Sequence, residues 1–191
     1  MKTLASVKRS AMVSSQVDVP KSIELIVSLC NSLGSKHPDR IRSWMTVHGF
    51  AGEGDFVDLE DVARVGAVGE AIRSWVQQGS WENPPPQAVE VINREGRRTP
   101  LRLWIGEDGR GALLAESPLP ADRAVGSILS AVRESTGSGL WLRLKTCRDP
   151  NCGWVFFDRS RNRSGVWCEM AVCGNREKAR RYKARRRAGR A

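Results

Sequence analysis

Four cysteines near the C-terminus limit most narrowly what this chain can fold into. Cys147, Cys152, Cys168 and Cys173 form two C-x4-C pairs with fifteen residues between them. Each pair leaves room for one tight loop that turns two sulfur atoms toward the same ion. Four thiolates fit a closed tetrahedral Zn2+ site without an open position for a substrate. We therefore predict that these four residues hold one structural zinc ion.

Disulfide bonds are the main alternative to a metal. The opening sequence MKTLASVKRSAMVSSQVDVP lacks the uninterrupted apolar stretch of a secretion signal, so a cytoplasmic location is expected. Disulfides are rare there, although two disulfides, an iron–sulfur cluster or four unrelated core cysteines stay open at this point. Cys30 shares an apolar helical stripe with Ile23, Ile26, Val27 and Leu33, and we expect it to be a buried residue without chemistry.

Positive charge is concentrated in the same part of the chain as the four cysteines. The 191 residues carry 31 Lys and Arg against 21 Asp and Glu, and residues 145–191 alone hold 14 basic and 4 acidic residues. Clustered cations gain most where they displace counterions from phosphates, which favours a nucleic acid. A membrane partner is not expected, because no apolar run approaches the roughly 18 residues of a spanning helix. DNA is the expected partner, with RNA as the second candidate.

Several strings around the cysteines occur in a fixed order. They are Cys147-Arg-Asp-Pro-Asn-Cys152-Gly, Phe156-Phe157-Asp158-Arg159-Ser160-Arg161-Asn162, Trp167-Cys168 and Cys173-Gly174-Asn175-Arg176. In this order they resemble the CGNR zinc finger, which is named for its last four motif residues. The N-terminal part is similar in length, and in an opening helix with Asn31 near its end, to the ABATE domain, regarded as a stress-responsive transcription-regulator domain. The resemblance implies a regulator without naming its signal.

The residues of the finger also predict its local structure. Residues 154–157 and 166–167 are aromatic or β-branched and flank the polar stretch 158–165, a pattern typical of a hairpin. A segment of about 45 residues buries too little surface to fold alone, so metal binding should be coupled to folding. Gly153 and Gly174 each follow a second cysteine, where a positive φ would help to close the metal loop.

The terminal helix is expected to start at an Asn175 cap and to run from residue 176 to about 187. It is basic on every face, so we expect its partner to supply negative charge, and a zinc-anchored helix suits a major groove. Asp158 should orient a neighbouring arginine or cap the loop. The alternative is a solvated basic tail that aids solubility or non-specific adhesion. The candidate nucleic-acid contacts are Arg159, Arg161, Asn162 and Arg163 in the loop and Asn175, Arg176, Lys178, Arg180, Arg181 and Lys183 in the helix.

Apolar residues upstream of the finger recur mostly at helical spacing. They predict helices over residues 23–33, 41–48, 59–76 and 119–134, a short helix from the proline run 84–86 to Ile92, and one hairpin of strands 101–105 and 112–116. Asp58 is the expected cap of the third helix. The expected fold class is α+β, with a mainly helical N-terminal domain containing one small β-hairpin, then a small treble-clef-like four-cysteine zinc finger with a basic C-terminal helix. The expected parts are a flexible arm (1–20), an ABATE-like regulatory domain (21–141) and the finger (142–191), with the last two packed together.

Catalysis is not expected. In the sequence, His37 and His48 lack a nearby nucleophile or metal-ligand spacing, and no P-loop, H-E-x-x-H or G-x-S-x-G motif occurs. We therefore favour a zinc-dependent DNA-binding transcriptional regulator whose N-terminal domain senses a signal or forms a homodimer. The alternatives are an RNA- or ribosome-associated finger protein, and a small-molecule-binding protein or enzyme whose finger only joins subunits. Four tryptophans either enclose an apolar effector or pack the core: Trp44, Trp75, Trp81 and Trp104.

Overall fold

The computed structural model describes residues 18–33, 38–52, 54–109 and 111–188. Most of the predicted arm, and His37, lie outside this part of the chain. The helices are α1 (Lys21–Ser32), α2 (Pro38–Val47), α3 (Leu59–Gln78), α4 (Pro86–Arg98), α5 (Pro120–Gly137) and α6 (Asn175–Ala188). The strands are β1 (Leu101–Ile105), β2 (Gly111–Ala115), β3 (Leu144–Thr146) and β4 (Val155–Phe157), with a 3-10 turn at Leu140–Arg143 and a π-helical turn at Met170–Gly174.

This arrangement confirms the predicted fold class. A helical N-terminal part is followed by a small four-cysteine finger with a helix at its end. β1 and β2 form one antiparallel hairpin and β3 and β4 form another. Within the described ranges, no helix is long and apolar enough to cross a membrane.

The core lies where α1, α3 and α5 meet, and the apolar stripes of the three helices supply it. Ile26, Ile72 and Ile128 are fully buried there. Cys30 is also buried, and burial raises the pKa of its thiol to about 12, as expected for a residue that packs and does not react. Asp58 caps α3 as predicted, because its carboxylate accepts the backbone N–H of Asp61 over 2.7 Å.

A buried ion cluster joins three helices in the N-terminal part. Arg64 of α3 contacts Glu95 of α4 over 3.0 Å and Asp122 of α5 over 2.9 Å. The predicted end of α4 at Ile92 is wrong by six residues, because α4 continues to Arg98 and brings Glu95 to Arg64. Glu95 is buried but polar, so the hydrophobic periodicity that predicts α4 ends before this residue.

The finger contains a different hairpin from the one predicted. β4 pairs with β3, with Lys145 opposite Phe156, and residues 166–167 are not in a strand. The carbonyl of Val166 instead accepts the backbone N–H of Arg148, at 3.0 Å. β3 takes this position in a ladder that continues at both ends, where the Cys147 N–H donates to the Trp154 carbonyl over 2.8 Å and the Asp158 N–H donates to the Arg143 carbonyl over 2.7 Å. The expected packing of finger against helices is confirmed, since Val155 of β4 is buried in the main core.

The second C-x4-C loop also departs from expectation. Gly153 has φ of +62° as predicted, whereas Gly174 lies in the π-helical turn and is not in the positive-φ region. A Cβ at position 174 would displace the Met170 side chain, which is exposed. The predicted Asn175 cap is wrong, because the π-helical turn leads directly into α6 and the Asn175 carboxamide donates to the Ala171 carbonyl over 2.9 Å.

Candidate metal centre and nucleic-acid interface

The four cysteines near the C-terminus meet at one point of the finger. Cys147 follows β3, Cys152 closes the β3–β4 loop, Cys168 precedes the π-helical turn and Cys173 lies within it. Their sulfur atoms all lie within 4.8 Å of one another, and none forms a disulfide. The cluster is therefore a closed set of four soft donors with no other acidic or histidine ligand grouped with it in the described chain.

Distances between these sulfur atoms fit a single zinc ion. The Sγ atom of Cys168 lies 3.6 Å from that of Cys152 and 3.7 Å from that of Cys173. Sulfur atoms at the corners of a tetrahedron, about 2.3 Å from a central Zn2+, are about 3.8 Å apart. A disulfide would need about 2.05 Å. The donor set and its spacing thus suit one structural zinc ion, and metal-bound thiolates would replace the thiols.

Without an ion, the thiols cannot all ionise at this spacing. Burial raises the pKa of Cys173 to about 11 and, together with the neighbouring thiols, raises that of Cys168. Burial acts in the same direction at Cys147, but hydrogen bonds from the backbone N–H groups of Cys168 and Asp149 outweigh it and lower its pKa. A divalent cation would remove this conflict, because it stabilises all four thiolates together.

Lys145 closes the polar loop that follows β4. Its ammonium donates to a carboxylate oxygen of Asp158 over 2.6 Å, to the carbonyl of Gly165 over 3.1 Å and to the carbonyl of Arg163. Asp158 is buried and also accepts the backbone N–H groups of Ser160 (2.9 Å) and Gly165 (2.8 Å). Burial alone would raise the pKa of Asp158, but these partners lower it to about 2. Asp158 therefore caps the loop, one of the two roles expected for it.

The candidate contacts in this loop point outward. Arg159, Arg161, Asn162 and Arg163 are all exposed. None of the three arginine side chains has an ion-pair partner within the described ranges. Lys145 holds the loop backbone by donating to the carbonyls of Arg163 and Gly165, so the three guanidinium groups extend into solvent from an anchored loop.

Asp149 anchors α6 to the first metal loop. Its carboxylate is buried and contacts Arg180 over 3.1 Å and Arg176 over 3.3 Å, while it accepts the backbone N–H of Asn151 over 3.2 Å. Burial works against ionisation, but these donors lower the pKa of Asp149 below its ordinary value. Two of the predicted nucleic-acid contacts, Arg176 and Arg180, thus hold the helix against the metal cluster. Asp149 was missed from the sequence, although an acidic residue between two zinc ligands in a basic segment was a usable signal.

The remaining cations of α6 face solvent. The helix carries eight basic residues and one acidic residue, and none of its residues is buried. Glu177 pairs with Arg180 and with Arg181, the latter over 2.8 Å. Lys178 and Lys183 are exposed and have no ion-pair partner in the described chain. The structure therefore divides the predicted contacts into anchoring and outward-facing groups.

The predicted tryptophan set does not enclose a common pocket. Trp44 packs beside Phe50, Trp75 packs beside Trp141, and Trp104 is exposed on β1. Trp81 is also exposed. Packing against different neighbours explains the buried members of the set.

His48 contacts Ser28, a residue that nothing near His48 in the sequence indicated as its partner. Its Nε2 atom lies 3.0 Å from the Oγ atom of Ser28, which accepts from Trp44 Nε1 over 2.9 Å and donates to the Leu25 carbonyl over 2.9 Å. Burial lowers the pKa of His48. Since no carboxylate contacts His48 in the described ranges, the arrangement is a packed polar cluster and not a triad.

A close cluster of four cysteine sulfur atoms, followed by a basic helix and preceded by a helical domain, defines a zinc-finger protein. The CGNR zinc finger family model matches residues 143–186, and the ABATE family model, described as "Putative stress-induced transcription regulator", matches residues 29–138. The second match covers more than half of the chain, so the chain belongs to the ABATE family. The predicted order of the two domains is confirmed. No curated protein matches the chain.

Proposed function

We propose that this chain is a zinc-dependent DNA-binding transcriptional regulator. The observation that carries the proposal is the outward-facing charge of the finger: exposed arginines on a fixed loop, and a helix with eight basic residues and one acidic residue. Such groups repel one another in the free protein and gain binding free energy when they replace the counterions of a nucleic acid. The zinc ion is structural in this proposal, with Cys147, Cys152, Cys168 and Cys173 as its ligands.

The basic residues divide into two roles. Arg176 and Arg180 position α6 through Asp149 and contribute to binding mainly by holding the helix in place. Lys178 and Lys183 are proposed to contact DNA phosphates or groove edges directly. The direct contacts also include Asn175, Arg181 and, from the loop, Arg159, Arg161, Asn162 and Arg163.

The N-terminal part regulates the finger in this proposal. We assign residues 21–141 to the regulatory domain and 142–191 to the finger, as the sequence predicts, and we propose that the protein acts in the cytoplasm. A signal or a partner bound by the helical domain can reach the finger because both share one core, in which Ile26 of α1 and Val155 of β4 are buried. Regulation, and not catalysis, is the proposed task of this domain, in line with the families that match the chain.

The proposal is tested by fluorescence anisotropy of labelled duplex DNA titrated with the zinc-loaded chain. We expect binding that weakens steeply with salt. The logarithm of the binding constant should fall against the logarithm of the salt concentration with a slope of about one per phosphate contact. Lys178→Ala with Lys183→Ala should weaken binding to all DNA sequences and reduce the salt slope by roughly two. Lys21→Ala with Arg97→Ala is the matched control, because it removes the same charge from exposed positions outside the finger.

Three outcomes separate the candidate functions. An equal loss of DNA affinity in both double variants would mean that net charge, and not the finger surface, drives binding. Single-stranded or structured RNA that displaces duplex DNA at lower concentration would favour the RNA-associated alternative. No binding at low salt by the zinc-loaded chain would contradict the proposal and leave a small-molecule role for the helical domain.

A further inference from the structure

The outer edge of β1 is unpaired in the described chain and mostly apolar, with Arg102 as its one charged residue. β1 pairs with β2 on one side, and no other described strand lies on its other side. Its three consecutive residues Leu103, Trp104 and Ile105 are 66%, 62% and 58% exposed. Folded proteins ordinarily cover such an edge or place charges and proline on it, because open backbone groups beside apolar side chains recruit another strand. The edge is therefore an interaction surface that needs an occupant.

Hydrogen bonds to β2 determine which backbone groups of β1 point outward. Leu101 lies opposite Ala115, and one residue earlier the Pro100 carbonyl accepts the backbone N–H of Glu116 over 3.1 Å. Because hydrogen-bonded positions alternate in an antiparallel pair, Arg102 and Trp104 direct their backbone groups toward β2. The backbone N–H and C=O groups of Leu101, Leu103 and Ile105 consequently point away from β2, toward solvent.

We propose that β1 of one copy pairs antiparallel with β1 of a second copy, about a two-fold axis at Leu103, to form a homodimer with a continuous four-stranded sheet. Leu103 then lies opposite Leu103 of the second copy, and Leu101 lies opposite Ile105 of the second copy. Every outward backbone group of the three odd-numbered residues finds a partner in this register. The side chains of these three residues lie on one face of the joined sheet, where each packs beside its cross-strand neighbour and exposes less apolar surface.

Side-chain charge favours this register over the two registers that are shifted by one pairing step. In the proposed pairing, Arg102 lies opposite Trp104 of the second copy, so a guanidinium meets an aromatic ring twice by symmetry. Arg102 keeps its own partner, since its Nε atom lies 2.8 Å from Glu116. A shift by one pairing step toward the start of β1 places two Arg102 side chains opposite each other, which is destabilising. A shift the other way leaves Leu101 without a strand partner.

The other edge of the hairpin is partly occupied by α5, which favours β1 as the contact strand. Arg133 of α5 donates to the Gly111 carbonyl of β2 over 3.2 Å. A Cβ on Gly126 of α5 would collide with Ala115 of β2 and lie 3.0 Å from the Leu101 side chain of β1, so this helix packs across one face of the hairpin. One outward carbonyl of β2 is thus already occupied, which favours β1 as the edge that a second copy extends.

Sedimentation equilibrium of the full zinc-loaded chain without DNA tests the proposal, and is independent of the proposed DNA binding. We expect a monomer–dimer equilibrium. Leu103→Pro removes one outward N–H per copy and leaves the β1–β2 hydrogen bonds intact, so it should raise the dimer dissociation constant roughly tenfold to a hundredfold. Leu103→Lys, which keeps the backbone and places two ammonium groups together on the axis, should act in the same direction.

Leu114→Ser is the matched control for this experiment. Leu114 is 49% exposed and lies on β2, where its loss removes apolar surface without touching the free edge, so the dissociation constant should stay within about twofold. Circular dichroism establishes that each variant is folded. A chain that is monomeric up to its solubility limit overturns the proposal. So does a dimer that both Leu103 variants leave unchanged, because the contact then lies elsewhere.

Discussion

The side chain of Asn31 pairs with the backbone of Val155 as a neighbouring strand would. Its Nδ2 atom donates to the Val155 carbonyl over 2.8 Å, and its Oδ1 atom accepts the Val155 N–H over 2.9 Å. Both residues are buried. Nearby, Arg73 donates to the carbonyls of Cys30 (3.1 Å) and Gly153 (3.0 Å), so a second side chain joins the same two elements. α1 and the finger are thus connected by specific polar contacts as well as by shared core packing.

Replacing Asn31 should destabilise the whole chain. Asn31→Ala leaves a buried N–H and a buried C=O of Val155 without partners, which costs about 2–4 kcal/mol of the free energy of unfolding. Asn31→Asp should be no better, because it turns a donor toward the Val155 carbonyl into a second acceptor. Urea denaturation of the zinc-loaded protein measures the change. Asn93→Ala, at an exposed position of α4, serves as control and should change stability by less than about 0.5 kcal/mol.

Asp149→Asn should release α6 from the finger without removing the metal. The variant keeps an acceptor for the Asn151 N–H but loses the charge that holds Arg176 and Arg180. We expect faster amide hydrogen exchange in α6, unchanged zinc content and weaker DNA binding. Arg97→Ala, which alters an exposed cation outside the finger, should leave exchange in α6 as it was. Protection of α6 equal to that of the unaltered protein would show that the helix does not depend on Asp149.

Features with a strong local pattern were predictable, and features made by distant polar partners were not. The cysteine spacing led to the metal cluster, and apolar periodicity led to most helices and to the β1–β2 hairpin. Glu95 and Asp149 are buried polar residues whose partners include arginines far away in the sequence, and hydrophobic periodicity does not identify either of them. The predicted hairpin of residues 154–157 with 166–167 was wrong for a related reason. The hydrophobic run at residues 166–167 resembles a strand, but β3 pairs with one edge of β4 and the Asn31 side chain takes the backbone groups of Val155 on the other edge.

Asp158 should make the stability of the finger depend on pH at acid values. Its pKa is about 2 in the folded protein against an ordinary 3.8, so the folded state binds the proton less readily than the unfolded state. Its stabilising contribution is complete above about pH 5 and is lost as pH falls toward 2. A difference of nearly two pKa units corresponds to about 2 kcal/mol. Asp158→Asn should therefore destabilise the protein by about that amount at pH 7.

The comparison of Asp158→Asn with the unaltered protein isolates this effect. Protonation of the zinc ligands weakens both proteins at low pH, and it cancels in the difference between their free energies of unfolding. That difference should shrink as pH falls from 5 toward 3. A difference that stays constant over this range would mean that the Asp158 carboxylate keeps the same pKa in the folded and unfolded chain.

Removal of zinc should unfold the finger and weaken the core beneath it. The cluster holds the β3–β4 loop and the π-helical turn together, and Val155 and Leu144 of this hairpin are buried against the helices. Metal analysis should find one zinc ion per chain. Cys147→Ser with Cys168→Ser should abolish it and expose residues 142–188 to proteolysis, since two hydroxyls replace two thiolate donors. Cys30→Ala removes a thiol that lies outside the cluster and should retain one zinc ion. An intact, protease-resistant finger in the double serine variant would refute the structural role of the metal.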